Sequence, residues 1–208
     1  MNVGSRLLLT ESDALLRLLR ATPEKDFDRP TVCTGWSVRD VLGHCGAALT
    51  RLATNEMHDF SAENNQRDVV ERRDWSLEGV LRELEDGYRL AVGPLEAAAG
   101  KLDVLVLGEW VHGGDVREAL GAPHAYASAG VDDALTTLAD SKHATRTPLV
   151  RVALPDRSLV LGSPREGREA ATLRTDVATL IRLYAGRPAH PERYALAGAQ
   201  PAELAIFR

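Results

Sequence analysis

Gly108-Glu109-Trp110-Val111-His112-Gly113-Gly114-Asp115-Val116-Arg117-Glu118-Ala119-Leu120-Gly121 is the stretch whose reading decides the fold. It sets acids, a histidine and an arginine inside an apolar run that begins at Leu102. Read as a helix, it puts His112 on one face with Leu105, Val116 and Ala119, and that face points inward. Glu109 falls one turn earlier, on nearly the same face. An inward Glu-His pair needs a partner, because burying an unpaired charge is costly. Leu102 to Leu107 taken alone also fits a buried strand. It is read as helix because the inward pattern continues through Leu120, and Gly121 with Pro123 behind it makes a stop.

A second histidine stands in a similar setting. His44 shares a helical face with Val41 and Ala48, within Gly35-Trp36-Ser37-Val38-Arg39-Asp40-Val41-Leu42-Gly43-His44-Cys45-Gly46-Ala47-Ala48-Leu49. Two inward histidines on two helices fit a metal in a bundle core. They fit equally a pair of satisfied core histidines, and geometry alone leaves both readings open.

The chain has 208 residues, of which 44% are hydrophobic, so a proper core forms and disorder is excluded. The formal net charge is −5 and no Lys/Arg stripe stands out, which argues against a nucleic-acid surface. Cys33 and Cys45 lack metal-finger or disulfide-framework spacing, so reduced thiols and a cytoplasmic setting are expected. No signal-peptide core and no run long enough to span a membrane are visible.

Residues 7–21 read as an amphipathic helix with Thr10 or Ser12 as N-cap and Arg17 and Arg20 outward. Ser37 and Asp40 form a capping box that opens a helix to about Ala53. Gly43 and Gly46 inside it imply close packing or room near His44. Residues 55–75 are polar, with helix expected from Asp68 to Arg73. Ser76 opens another helix, which Pro94 interrupts or ends. A helix follows over 131–143. Period-two alternation then begins around Val150, Val152 and Leu154, and Ser158 to Leu161 returns after a turn at 155–157. Ala171 to Leu173 reads as a third strand. A helix capped by Thr175 or Asp176 runs to Gly186, and residues 194–198 with 204–207 complete the unit. The change of period divides the chain into 1–145, helical, and 146–208, small α+β.

Thr31-Val32-Cys33-Thr34-Gly35-Trp36-Ser37-Val38-Arg39-Asp40-Val41-Leu42-Gly43-His44 resembles the first signature of the mycothiol-dependent maleylpyruvate isomerase family. His112-Gly113-Gly114-Asp115-Val116-Arg117-Glu118-Ala119-Leu120-Gly121 resembles its second. Residues 176–187 and Gly198 are similar to its C-terminal domain. The resemblance implies a DinB-like four-helix bundle followed by a sterol-carrier-protein-like domain. It implies a divalent metal, usually zinc, held by a histidine of the second helix and by a Glu and a His of the later one. His44 and His112 match those histidines. The Glu four before the later histidine is Gly108 here, and Glu109 stands three before.

The implied function is a metal- and mycothiol-dependent isomerase or thiol S-transferase. The thiol adds to a small electrophile such as an unsaturated acid, a bond rotates, and the thiol leaves. The partners are then a small-molecule substrate and a low-molecular-weight thiol, with no nucleic acid and no membrane; the oligomeric state is not written in the sequence. The competing reading is a noncatalytic small-ligand-binding member that has lost the metal triad.

Two catalytic candidates accompany the metal set His44, Glu109 and His112. Asp115 is read either as a carboxylate orienting a ligand histidine or as a capping acid paired with Arg117 or Arg39. Arg187 is read either as an anchor for a substrate carboxylate or as a solvated residue after a helix stop. Trp36 and Trp110 are expected in the core, Cys33 and Cys45 as buried small apolar residues, and His58, His124, His143 and His190 at the surface.

Overall fold

A computed structural model describes residues 1–57 and 60–207, so His58 lies outside the described residues. The chain divides into two compact units, Met1–Ala125 and the remainder from Tyr126. This division falls before the change of hydrophobic period at 145/146. The helix Val131–Asp140 lies in the second unit, where Arg157 Nη1 meets Asp132 Oδ1 at 2.8 Å on the surface.

Among the described residues the first unit holds five α-helices: α1 (Val3–Arg20), α2 (Val38–Thr54), α3 (Ala62–Arg72), α4 (Leu77–Ala98) and α5 (Asp103–Ala119). Helix α1 starts earlier than residue 7. Asn2, not Thr10 or Ser12, is its cap, and its side chain accepts the Ser5 N–H at 2.8 Å. Leu7, Leu8, Leu15 and Leu19 form the buried stripe, while Arg17 is exposed as expected. Helix α2 opens on the expected capping box of Ser37 and Asp40. Helix α4 runs through Pro94 to Ala98. The carbonyl that Pro94 leaves without its helical donor belongs to Leu90, which is half exposed and so open to water.

Helix α2 packs on α4, α1 on both α4 and α5, and α2 also on α5. Glycines set the α2–α4 approach: a Cβ on Gly87 would lie 2.7 Å from the Leu49 Cβ, and one on Gly46 would lie 3.0 Å from Glu83 Oε2. Trp110 and Tyr88 fill the core between the helices.

The ambiguous stretch from Leu102 is helix α5, and its glycines explain themselves through a buried ion pair. Arg117 of α5 donates to both carboxylate oxygens of Glu11 on α1, at 2.8 and 2.9 Å. Both residues are buried. A Cβ on Gly113 would fall 1.8 Å from Glu11 Oε1, so the pair exists only because residue 113 has no side chain. Burial pushes the Glu11 carboxyl up, and Arg117 opposes that shift.

The second unit holds α6 (Val131–Asp140), β1 (Val150–Ala153), β2 (Ser158–Leu161), β3 (Ala171–Thr175), α7 (Val177–Tyr184), β4 (Tyr194–Ala197) and α8 (Pro201–Leu204). The strands make one mixed sheet in the order β2-β1-β3-β4, with β1 and β3 parallel and the outer pairs antiparallel. Val150, Val152, Leu161, Ala171 and Leu173 form its buried face, and Leu180, Ile181 and Tyr184 of α7 are buried in the same unit. Asp176 caps α7, accepting the Thr179 N–H at 2.8 Å. The chain is therefore mostly helical with a small four-stranded sheet, and no helix among the described residues is long and apolar enough to cross a membrane.

Removing one partner of a buried ion pair leaves the other uncompensated. Arg117→Met should cost about 3–5 kcal/mol in denaturant unfolding, and the double variant Glu11→Leu/Arg117→Met should recover most of that loss. A single-variant loss under about 1 kcal/mol would show that the pair is not strained by its burial.

Candidate metal centre

Helix α2 delivers His44 and α5 delivers His112, and their ring centroids lie 5.3 Å apart in an edge-on arrangement. Trp36, in the loop before α2, packs against both, with centroids 5.2 Å from His44 and 6.5 Å from His112. It is half-buried beside the histidines rather than a core residue, and its Nε1–H donates to Gln66 Oε1 at 2.9 Å. Trp110 is in the core as expected.

Each histidine is backed by a buried carboxylate. His44 Nδ1 lies 3.0 Å from Asp68 Oδ2, and His112 Nδ1 lies 3.0 Å from Asp115 Oδ2. With Nδ1 engaged, Nε2 is the nitrogen left for a ligand, which is how metal-binding imidazoles are commonly oriented. Asp115 is fully buried, so it is not a surface acid paired with Arg39. Asp68 also takes both Nη1 and Nη2 of Arg51, the Nη2 contact at 2.8 Å. Hydrogen bonds from His44 and Arg51 overcome its desolvation and hold the carboxyl down at about 2. Burial lowers the His44 pKa, against the opposing pull of Asp68, so this imidazole is neutral and ligand-ready near neutral pH.

Glu109 lies deeper. It is buried, one carboxylate oxygen (Oε2) has no hydrogen-bond partner, and burial raises its pKa to about 8. Its hydrogen-bond partner is the Cys45 thiol, which burial and then Glu109 itself push up. Nearby, the buried Tyr88 hydroxyl also has no hydrogen-bond partner, and burial, Glu11 and Glu109 raise it in turn.

Cys33 departs from its expected role as a buried apolar filler. Its half-buried thiol donates to Asp115 Oδ2 at 3.2 Å and lies 3.8 Å from His112 Nδ1. Cys33, His112 and Asp115 offer ligand atoms that all lie within 4.8 Å of one another, the one such group among the described residues, and His44 and Glu109 are not part of it. Both cysteines are free thiols, as expected. Asp68 and Arg51 were missed in the sequence because they come from α3 and the far end of α2, with no motif linking them to His44. Arg187 belongs to the second unit, where its N–H closes on the Arg182 carbonyl at 2.8 Å after α7.

The first unit thus pairs two imidazoles, each on a buried acid, with Glu109 buried on the same helix as His112. Residues 8–127 match the family described as "Mycothiol maleylpyruvate isomerase N-terminal domain", and the chain belongs to that family. Two crystal structures of mycothiol-dependent maleylpyruvate isomerase, one a histidine-to-alanine mutant, share the fold. They superpose with TM-scores of 0.63 and 0.61 at 14% identity, covering 97% of this chain and 95% of theirs. No curated protein matches the sequence.

Glu109 makes the metal-free protein pH-sensitive in a defined direction. Its folded-state pKa is about 8 against 4.5 for an unperturbed carboxyl. The folded state thus keeps a proton that the unfolded chain gives up, and this group's contribution to stability falls as pH rises from 4.5 toward 8. In denaturant titrations of metal-free protein, Glu109→Gln should remove that decline. An unchanged pH slope in the variant would mean Glu109 ionises normally in the fold.

Proposed function

We propose that the protein is a mycothiol-dependent isomerase or thiol S-transferase acting on a small electrophile, an unsaturated acid being the fitting class. The helices α1, α2, α4 and α5 are read as a DinB-like four-helix bundle, and the second unit as sterol-carrier-protein-like. The observation that carries the reading is the pair His44 and His112, rings 5.3 Å apart, each with Nδ1 on a buried carboxylate.

These residues fit a divalent metal. His44, Glu109 and His112 would hold the ion: both imidazoles have Nε2 free of the backing acids and Glu109 has a buried oxygen without a partner, although only Cys33, His112 and Asp115 have ligand atoms already within 4.8 Å of one another. Nitrogen and carboxylate donors of this kind suit zinc. A divalent ion, when bound there, would supply the positive charge that favours the thiolate form of a low-molecular-weight thiol.

The chain's own residues do the rest. Asp68 and Asp115 fix ring orientation and tautomer, so no rotamer freedom is lost when a ligand arrives. Trp36 flanks both imidazoles and excludes water from one side. Glu109 holds a proton near neutral pH. Arg187 is proposed as an anchor for a substrate carboxylate, its planar fork matching that group. A noncatalytic, ligand-binding role is the second reading, favoured by Gly108 at the position where the resemblance implies a metal-binding Glu.

Zinc loading followed by desalting and metal analysis separates the two. Wild type should retain about one zinc per chain. His44→Ala should retain none, and Asp68→Asn should bind about 10–100-fold more weakly. Loaded wild type, given mycothiol and maleylpyruvate, should convert the cis double bond to trans. Wild type that retains no zinc and leaves maleylpyruvate unchanged is the noncatalytic protein.

A further inference from the structure

The sheet of the second unit has one face that α7 does not cover. Strand register arranges its exposed residues as a grid of two rows. One row is Val160–Arg151–Thr172–Ala197, and the other is Ser158–Ala153–Arg174–Ala195. Arg151 and Arg174 occupy the two inner strands, diagonal to each other, so their Cβ atoms are about 7–8 Å apart. Short side chains surround them, leaving a depression of about 650 Å³ over the sheet. No acid lines it.

This is unlike the rest of the unit. Arg157 pairs with Asp132 and Asp156, Arg168 with Glu203, and Arg193 with Asp176. Arg151 and Arg174 have no hydrogen-bond or ion-pair partner among the described residues. Two neighbouring like charges without a counter-charge weaken a sheet, and here they do so in a chain of net charge −5. Such an arrangement is stabilised by an anion that bridges them.

We propose that this face is a binding site for a short-chain organic dicarboxylate, one carboxylate on each guanidinium. Each fork matches one carboxylate in bidentate fashion. Thr172 and Ala153 fill the other diagonal of the inner grid, so the ligand's carbon chain meets a methyl on one side and a hydroxyl on the other. A single phosphate fits less well, because the strand N–H groups that would cradle it are committed to the ladder. A second copy of the face fits less well too, since two-fold pairing would bring arginines onto arginines. The site stands on the second unit alone and does not rest on the metal reading of the first.

Isothermal titration of the full chain with succinate at low salt tests it. Saturable binding with Kd of about 1 mM or tighter is expected. Arg151→Gln and Arg174→Gln should each weaken it about tenfold, and the double variant should abolish it without lowering the thermal midpoint. Acetate, with one carboxylate, should bind at least about tenfold more weakly than succinate. The proposal is overturned by absent saturation, by succinate binding that survives in the double variant, or by acetate or inorganic phosphate binding as tightly as succinate. A double variant that instead loses self-association in sedimentation velocity would make the face an interface between copies, and that also overturns it.

Discussion

A charge buried among packed helices must be answered, and the first unit is built around that constraint. Glu11, Asp68, Glu109, Asp115 and Arg117 are all buried. Glu11 is answered by Arg117, across a gap that Gly113 keeps open. Asp68 is answered by Arg51 and His44, and Asp115 by His112 and Cys33. Glu109 alone keeps an oxygen without a hydrogen-bond partner, and burial keeps it protonated to about pH 8. Glu109 is thus the one of these acids whose charge is answered by its own proton rather than by a cationic partner.

The two helix pairings serve this arrangement. The close approach of α2 and α4 at Gly46 and Gly87 fixes α2, and with it His44. The Glu11–Arg117 pair locks α5 against α1, and with it Glu109, His112 and Asp115. The imidazoles are therefore positioned by elements rather than by a loop, and oriented by acids that are themselves packed. A site held in this way loses little freedom on binding, the requirement for a ligand that must be gripped at a set orientation.

What was legible in the sequence were features carried on one helix at fixed spacing. His44 on its apolar face, His112 with Asp115 three residues on, the capping box of Ser37 and Asp40, and the caps of α4 and α7 all have local signatures. What was not legible came from partners brought together by tertiary packing. Asp68 sits in a polar stretch whose inward side shows only when α3 packs on α2. Glu11 keeps helical spacing with Leu8 and Leu15, but nothing local names Arg117, far along the chain, as the partner that its burial requires. Cys33, with no companion at motif spacing, looked like a small apolar residue, yet the loop before α2 returns its thiol to Asp115. Helix α6 has the period of the preceding helices, so periodicity could not separate it from them, yet it belongs to the second unit.

The central claim is that two buried carboxylates fix two imidazoles with Nδ1 inward and Nε2 offered to a ligand. Long-range ¹⁵N–¹H correlation of the histidine rings in metal-free protein at neutral pH tests it most directly. The account predicts that both His44 and His112 carry their proton on Nδ1, with Nε2 unprotonated and shifting on addition of zinc. An Nε2–H tautomer in either ring, unmoved by zinc, would contradict it.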